Sequence, residues 1–161
     1  MSIRQLILLR HAHAEPPAPD QSDAERPLTE GGQREATAAA AWLAAHDVQP
    51  DVVLCSPARR TRETAISIVD VLGAADALRF EPRIYEATPA TLIDLLDEHA
   101  NADCVLLVGH NPGLETLVAL LTDGTSDSGR GMPPGSIAWL HVDADSALEP
   151  GAANLRHFWW P

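Results

Sequence analysis

Leu6-Ile7-Leu8-Leu9-Arg10-His11 decides how this chain folds: consecutive aliphatic side chains run straight into a cation and an imidazole. A strand that is apolar at every position, rather than at alternate ones, is covered on both faces, as central strands of parallel sheets are. The expected strand, Ile3 to Arg10, therefore sits in mid-sheet and ends in chemistry. The pattern recurs twice. Cys104 to Val108 closes in Gly109-His110, and the strand expected over Asp51 to Cys55 opens into Ser56-Pro57-Ala58-Arg59-Arg60. All three strands would deliver a basic or phosphate-binding group at their C-terminal ends, the edge where open α/β sheets bind ligands.

Helical segments separate these strands. Ala12 to Leu28, with Pro16, Pro17, Pro19 and Pro27, reads as a loop, because proline fixes φ and removes a backbone donor. Thr29 is placed to cap an Ala-rich helix running to about His46. A second helix, Arg59 to Leu72, has Ala65, Ile66, Val69 and Leu72 on an apolar face and stops at Gly73. A short extended piece, Leu78 to Tyr85, precedes a helix from Pro89 to about His99 with Leu92, Leu95 and Leu96 inward. Asn111-Pro112-Gly113 turns into a helix ending near Leu121. Residues 122–135 are expected to form a mobile loop, with Ser136 to Val142 and Asn154 to Trp160 as final strands. The alternation predicts the α/β class: a three-layer α/β/α sandwich on a mostly parallel central sheet.

The 161 residues suit a single domain over 1–161. A net charge of -12 argues against nucleic acid or an anionic membrane as partner, since either needs a broad basic field. Any anion must then be held by a local cluster. All 11 basic residues are arginine, which excludes Schiff-base chemistry, lysine-anchored pyridoxal phosphate and a Walker-type phosphate loop. Arginine favours forked recognition of phosphate oxygens. Cys55 and Cys104 lie within strands and are expected as buried free thiols. No apolar stretch is long enough to span a bilayer and no leader is evident, so a cytoplasmic protein is expected. Oligomeric state is left open, with a monomer expected, and no metal or cofactor is expected.

A phosphate ester is itself anionic, so its hydrolysis needs a nucleophile and donors that neutralise the phosphoryl oxygens. His11 is the candidate nucleophile, because a neutral imidazole has a lone pair at ordinary pH and can carry a phosphoryl group without a metal. Arg10 adjoins it, Arg60 lies one turn into the second helix, and His110 ends the third strand.

These features resemble the histidine phosphatase superfamily, whose signature strand ends in Arg-His, usually followed by Gly; here Ala12 follows. The resemblance extends to Arg26-Pro27-Leu28-Thr29-Glu30-Gly31-Gly32, to Ser56-Pro57-Ala58-Arg59-Arg60-Thr61-Arg62-Glu63-Thr64-Ala65, and to Gly109-His110-Asn111-Pro112-Gly113. The short length and the Arg26-Pro27-Leu28-Thr29 block are most similar to the SixA-type phosphohistidine phosphatases. What the resemblance implies is a phosphoglycerate mutase-like fold without a cap domain. It implies His11 as phosphoryl acceptor, Arg10, Arg60 and His110 as the phosphate pocket, and Arg26 as a further substrate contact. Glu86 falls where many members carry a proton-donating Glu, with Glu15, Asp20 and Asp23 as competitors. Thr29 would touch phosphate as well as cap its helix. The implied partner is a phosphorylated protein, a phosphohistidine-bearing carrier or phosphotransfer domain.

Bland readings stand beside these. Ser56 reads as a helix cap, Asn111 as a turn residue, Arg59 and Arg62 as surface, and His46, His99, His141 and His157 as surface or packing residues. Trp159 and Trp160 would close the core or lie on an edge strand. Rival chemistries are a metal site on His11 and His13, and a cysteine phosphatase on Cys55. The second fails because the arginine it needs six positions on is Thr61. A small-molecule phosphatase or mutase using the same pocket, and a non-catalytic phosphoprotein-binding module, stay open.

Overall fold

In a computed structural model, which describes residues 2–127, 129–143 and 145–161, the strands are β1 (Gln5–Arg10), β2 (Val52–Cys55), β3 (Leu78–Phe80), β4 (Cys104–Gly109), β5 (Ile137–Val142) and β6 (Ala153–Trp159). The helices are α1 (Glu30–Ala45), α2 (Arg59–Leu72), α3 (Pro89–Asp97) and α4 (Gly113–Asp123). The strands form one sheet of order β3-β2-β4-β1-β5-β6. The first four in sequence are parallel, as expected, whereas β5 and β6 add antiparallel to the β1 edge and make the sheet mixed.

Alternation along the buried strands divides the core into two layers. Leu6, Leu8, Leu54 and Leu107 face α3 and α4, meeting Leu92, Leu95, Leu96, Leu114 and Leu117. Ile7, Leu9, Val53, Leu106 and Val108 face α1 and α2, meeting Ala39, Leu43, Ala65 and Ile68. This is the three-layer α/β/α arrangement. It explains why β1 carries no polar alternation: both of its faces are covered. Among the described residues no helical layer caps the C-terminal edge of the sheet.

Register sets the site. β1 and β4 pair from Gln5 with Cys104 to Arg10 with Gly109, so the first residue beyond each strand is a histidine, His11 beside His110. Cys55 pairs with Val108, which brings Ser56 level with Gly109.

The connections are more ordered than their composition suggests. Within 12–28 a 3-10 turn forms at Asp23–Glu25, and Ala14 bridges Leu28. The helix expected to stop near Leu121 runs to Asp123, where Gly124 at φ 72 ends it by donating to the Leu120 carbonyl. The far end of the expected 122–135 loop is pinned. Met132 is buried, and Gly135 N donates to the Arg10 and His11 carbonyls at 3.1 Å each. Ser128 of that loop lies outside the described residues.

Candidate active site

His11 is buried, and its Nδ1 lies 2.7 Å from the Ala12 carbonyl oxygen. A carbonyl only accepts, so Nδ1 carries the hydrogen and Nε2 keeps the lone pair. Burial, then the positive charges of Arg60, Arg10 and Arg26, push the imidazole down to about 4, leaving it neutral at ordinary pH. Ala12, where glycine is usual, is fully buried against Leu28 and Ala36, and its N–H donates to Thr64 Oγ1 at 3.1 Å. Thr64 Oγ1 in turn donates to the Arg60 carbonyl at 2.8 Å, tying the His11 segment to α2.

His110 tilts beside His11 with ring centroids 5.3 Å apart, and Tyr85 meets it edge-on at 5.5 Å. Burial, then Arg60 and His11, lower its pKa to about 3. Its Nε2 lies 2.7 Å from Ser56 Oγ. Ser56 is therefore more than the helix cap expected: the N-cap position of α2 is Ala58, and the serine hydroxyl reaches across to β4.

Arg10 Nη1 donates to the Met132 carbonyl at 2.9 Å. Asn111, expected as a turn residue, donates to the same carbonyl at 2.9 Å and to Glu115 Oε2 at 3.0 Å. Arg60, buried at 6% exposure, donates from Nη1 to the Asp23 carbonyl at 2.8 Å and from Nη2 to Asp23 Oδ2 at 3.0 Å. Asp23 also accepts from Tyr85 Oη at 2.6 Å and Arg26 Nε at 2.9 Å. The tyrosine hydrogen bond first, then Arg60 and Arg26, hold its carboxyl well below the usual carboxylate range. An acid so readily ionised is a poor proton donor at neutral pH.

What remains unpaired is informative. Arg10 Nε, Arg60 Nε and His110 Nδ1 are buried and lack partners among the described residues. Buried polar atoms without partners are costly and call for an explanation. Two guanidinium groups and an imidazole left incomplete around His11 match the needs of a phosphoryl group, whose oxygens are acceptors.

The structure thus brings His11, Arg10, Arg60 and His110 to one sheet edge, with Arg26 behind Asp23 and donating from Nη1 to the Glu15 carbonyl at 2.9 Å. Glu86 stands exposed in an open depression of about 660 Å³ shared with Asp23, Arg60, Tyr85 and His110, at the left-handed φ of 57°. Non-glycine residues held there are uncommon and cluster at functional sites. Thr29 Oγ1 accepts from Gly32 N at 2.8 Å and donates to the His13 carbonyl at 3.3 Å, so its hydroxyl is engaged in the cap. Arg59 is exposed and pairs with Glu63, whereas Arg62 is half-buried with its Nε enclosed, not the surface residue expected. His13 is exposed, unlike His11. Cys55 is buried and Cys104 half-buried, both as free thiols. His46 and His157 join Trp42, Trp139 and Trp159 in an aromatic cluster over β5 and β6. Trp160 is exposed. Among the described residues no helix is long and apolar enough to cross a membrane.

Sequence reasoning missed Ser56 as a partner of His110 and Asp23 as the anchor of Arg60. Asp23 had one local signal, the i,i+3 spacing to Arg26 within a turn. Ser56 had none, because its partner lies 54 positions away.

A doubly covered α/β sheet with neutral imidazoles and incomplete arginines at its C-terminal edge defines a class of phosphoryl-handling protein. The chain belongs to the histidine phosphatase superfamily (branch 1), whose model matches residues 6–91. Among curated proteins it is 35% identical to an uncharacterized protein of Mycobacterium tuberculosis, over 92% of this chain and 98% of that one. It is also 32% identical to the phosphohistidine phosphatase SixA of Escherichia coli, over 74% of this chain and 75% of that one. A crystal structure from Agrobacterium tumefaciens that carries the SixA name superposes with a TM-score of 0.87 at 27% identity, covering all of both chains.

Proposed function

We propose that this protein removes the phosphoryl group from phosphohistidine on a partner protein, in two in-line steps through a phospho-His11 intermediate. The observation that carries the reading is the His11 Nδ1 bond to the Ala12 carbonyl, which leaves Nε2 as the nucleophile in a site whose donors await an anion. In the first step Nε2 attacks phosphorus while the phosphorus–nitrogen bond to the substrate imidazole breaks. The departing nitrogen needs a proton, for which Glu86 is the donor best placed in the depression. In the second step water attacks phospho-His11, its proton passes to the Glu86 carboxylate, and inorganic phosphate leaves. Arg10 and Arg60 neutralise the equatorial oxygens, the uncharged His110 donates a hydrogen bond to one of them, and Arg26 is an outer contact, so no metal or cofactor is called on.

The uncapped, open depression supports a protein substrate, since a side chain presented by a folded carrier or phosphotransfer domain needs an approach from outside. Similarity to the Escherichia coli phosphohistidine phosphatase supports the choice of phosphohistidine. The test compares kcat/KM for a phosphohistidine-bearing carrier protein with that for para-nitrophenyl phosphate and small sugar phosphates, all in excess chelator. The phosphoprotein is expected to lead by at least ~10-fold. A small ester that outruns it would replace this reading with that of a metabolite phosphatase.

A further inference from the structure

We propose that Ser56 is a positioning residue that sets the tautomer of His110, donating its hydroxyl hydrogen to Nε2 so that Nδ1–H is the donor offered to a phosphoryl oxygen. The proposal rests on the reading above that His110 binds a phosphoryl oxygen, and it identifies which nitrogen does so and why.

A neutral imidazole has one hydrogen and two nitrogens. In His110 the two nitrogens have different surroundings. Nε2 is 2.7 Å from Ser56 Oγ, while Nδ1 is buried and has no partner. Only Nδ1 is left to meet an incoming anion. If Nε2 carried the hydrogen, Nδ1 would present a lone pair to phosphoryl oxygens that are themselves acceptors, and the contact would be repulsive. If Nδ1 carries it, the contact is a hydrogen bond.

Ser56 decides between these states. It is fully buried, and its Oγ already receives the Ala58 N–H at 3.4 Å. Among the described residues the serine hydroxyl has one further partner, His110 Nε2. Were Nε2 to donate as well, the oxygen would hold two incoming hydrogens and its own hydrogen would be stranded in the interior, at a cost typical of an unsatisfied buried donor. Donation from the hydroxyl to Nε2 satisfies both the serine and Nε2 and leaves Nδ1–H as the one open group, the donor a phosphoryl oxygen would meet. The serine is itself immobilised: its N–H donates to the Val108 carbonyl at 3.1 Å, and its carbonyl accepts from Thr61 Oγ1 at 2.8 Å. His11 and Tyr85 pack against the His110 ring from two sides, which opposes a ring flip that would exchange its nitrogens. The site then uses one device twice. An acceptor fixes the hydrogen of His11 on Nδ1 so that Nε2 attacks, and a donor fixes the hydrogen of His110 on Nδ1 so that Nδ1 binds.

Long-range proton–nitrogen NMR on the nitrogen-15-labelled wild-type protein at neutral pH reads the tautomer directly, with the His110 signals identified by their loss in His110→Ala. The expected spectrum shows a protonated Nδ1 and an unprotonated Nε2; the reverse assignment overturns the proposal. In Ser56→Ala the Nδ1–H preference is expected to disappear, with kcat/KM for para-nitrophenyl phosphate falling about 10- to 100-fold. An unchanged tautomer, or a rate within about twofold of wild type, would likewise overturn it. The spectrum is recorded without substrate, so it stands if the preferred phosphate compound differs from the one proposed. The wild-type spectrum can overturn the proposal even if the alanine variant does not fold.

Discussion

At the scale of single residues, the two imidazoles carry a consequence for stability. His11 at about 4 and His110 at about 3 lie below the ordinary histidine value because burial and neighbouring arginines oppose their charge. As pH falls from about 6.5 the unfolded chain takes up protons that the folded chain refuses, so folding stability falls with pH across this window. Asp23 acts in the same direction lower down: its depressed carboxyl contributes stability that is lost as it protonates. Urea titrations at pH 7 and pH 4.5 check the sign, with a loss on the order of 2 kcal/mol expected from the His11 shift alone. His11→Ala should flatten the slope, and a stability independent of pH over this range would contradict the burial assigned to these rings. The sequence made Arg10, His11 and His110 legible because each ends or follows an apolar strand, and Arg60 legible through its spacing after Ser56-Pro57 in the loop-to-helix turn. Asp23 and Ser56 act across loops and strands whose contacts no local pattern encodes.

At the scale of elements, the approach of α1 to the His13 segment depends on an absent side chain. A Cβ at Gly32 would stand 2.0 Å from the His13 carbonyl oxygen, whereas at Gly31 the nearest atom would be 3.6 Å away. Gly32→Ala must therefore displace the start of α1, which the Thr29 cap ties to the same carbonyl. The expected cost is about 1–3 kcal/mol, with reduced turnover, while Gly31→Ala stays near wild type. Thermal unfolding of the two variants checks this, and equal midpoints would contradict the close approach. Helices were legible to within two or three residues, because caps and glycine stops are local. The antiparallel joining of β5 and β6 was not, since a short apolar run has no direction until it is paired. The half-burial of Arg62 was hidden for the same reason: helical spacing does not say which polar residue a neighbouring element will cover.

At the scale of the whole molecule, a chain of net charge -12 concentrates cations at one sheet edge. The field that matters is local, made by Arg10, Arg60 and Arg26 around His11, and burial strengthens it where salt would screen a surface charge. Charge composition therefore argues against broad polyanion partners without arguing against a phosphoryl group held by a local cluster. The α/β class followed from alternating segments, and the β1–β4 register turned two strand-end histidines into neighbours. The central claim is that His11 itself takes the phosphoryl group. Two in-line displacements invert phosphorus twice, so the stereochemical course of hydrolysis reads the claim without the intermediate having to accumulate. A phosphorothioate substrate made chiral with sulfur and two oxygen isotopes, hydrolysed in water carrying the third, is predicted to give chiral inorganic thiophosphate with overall retention, and net inversion would mean that water attacks the substrate directly.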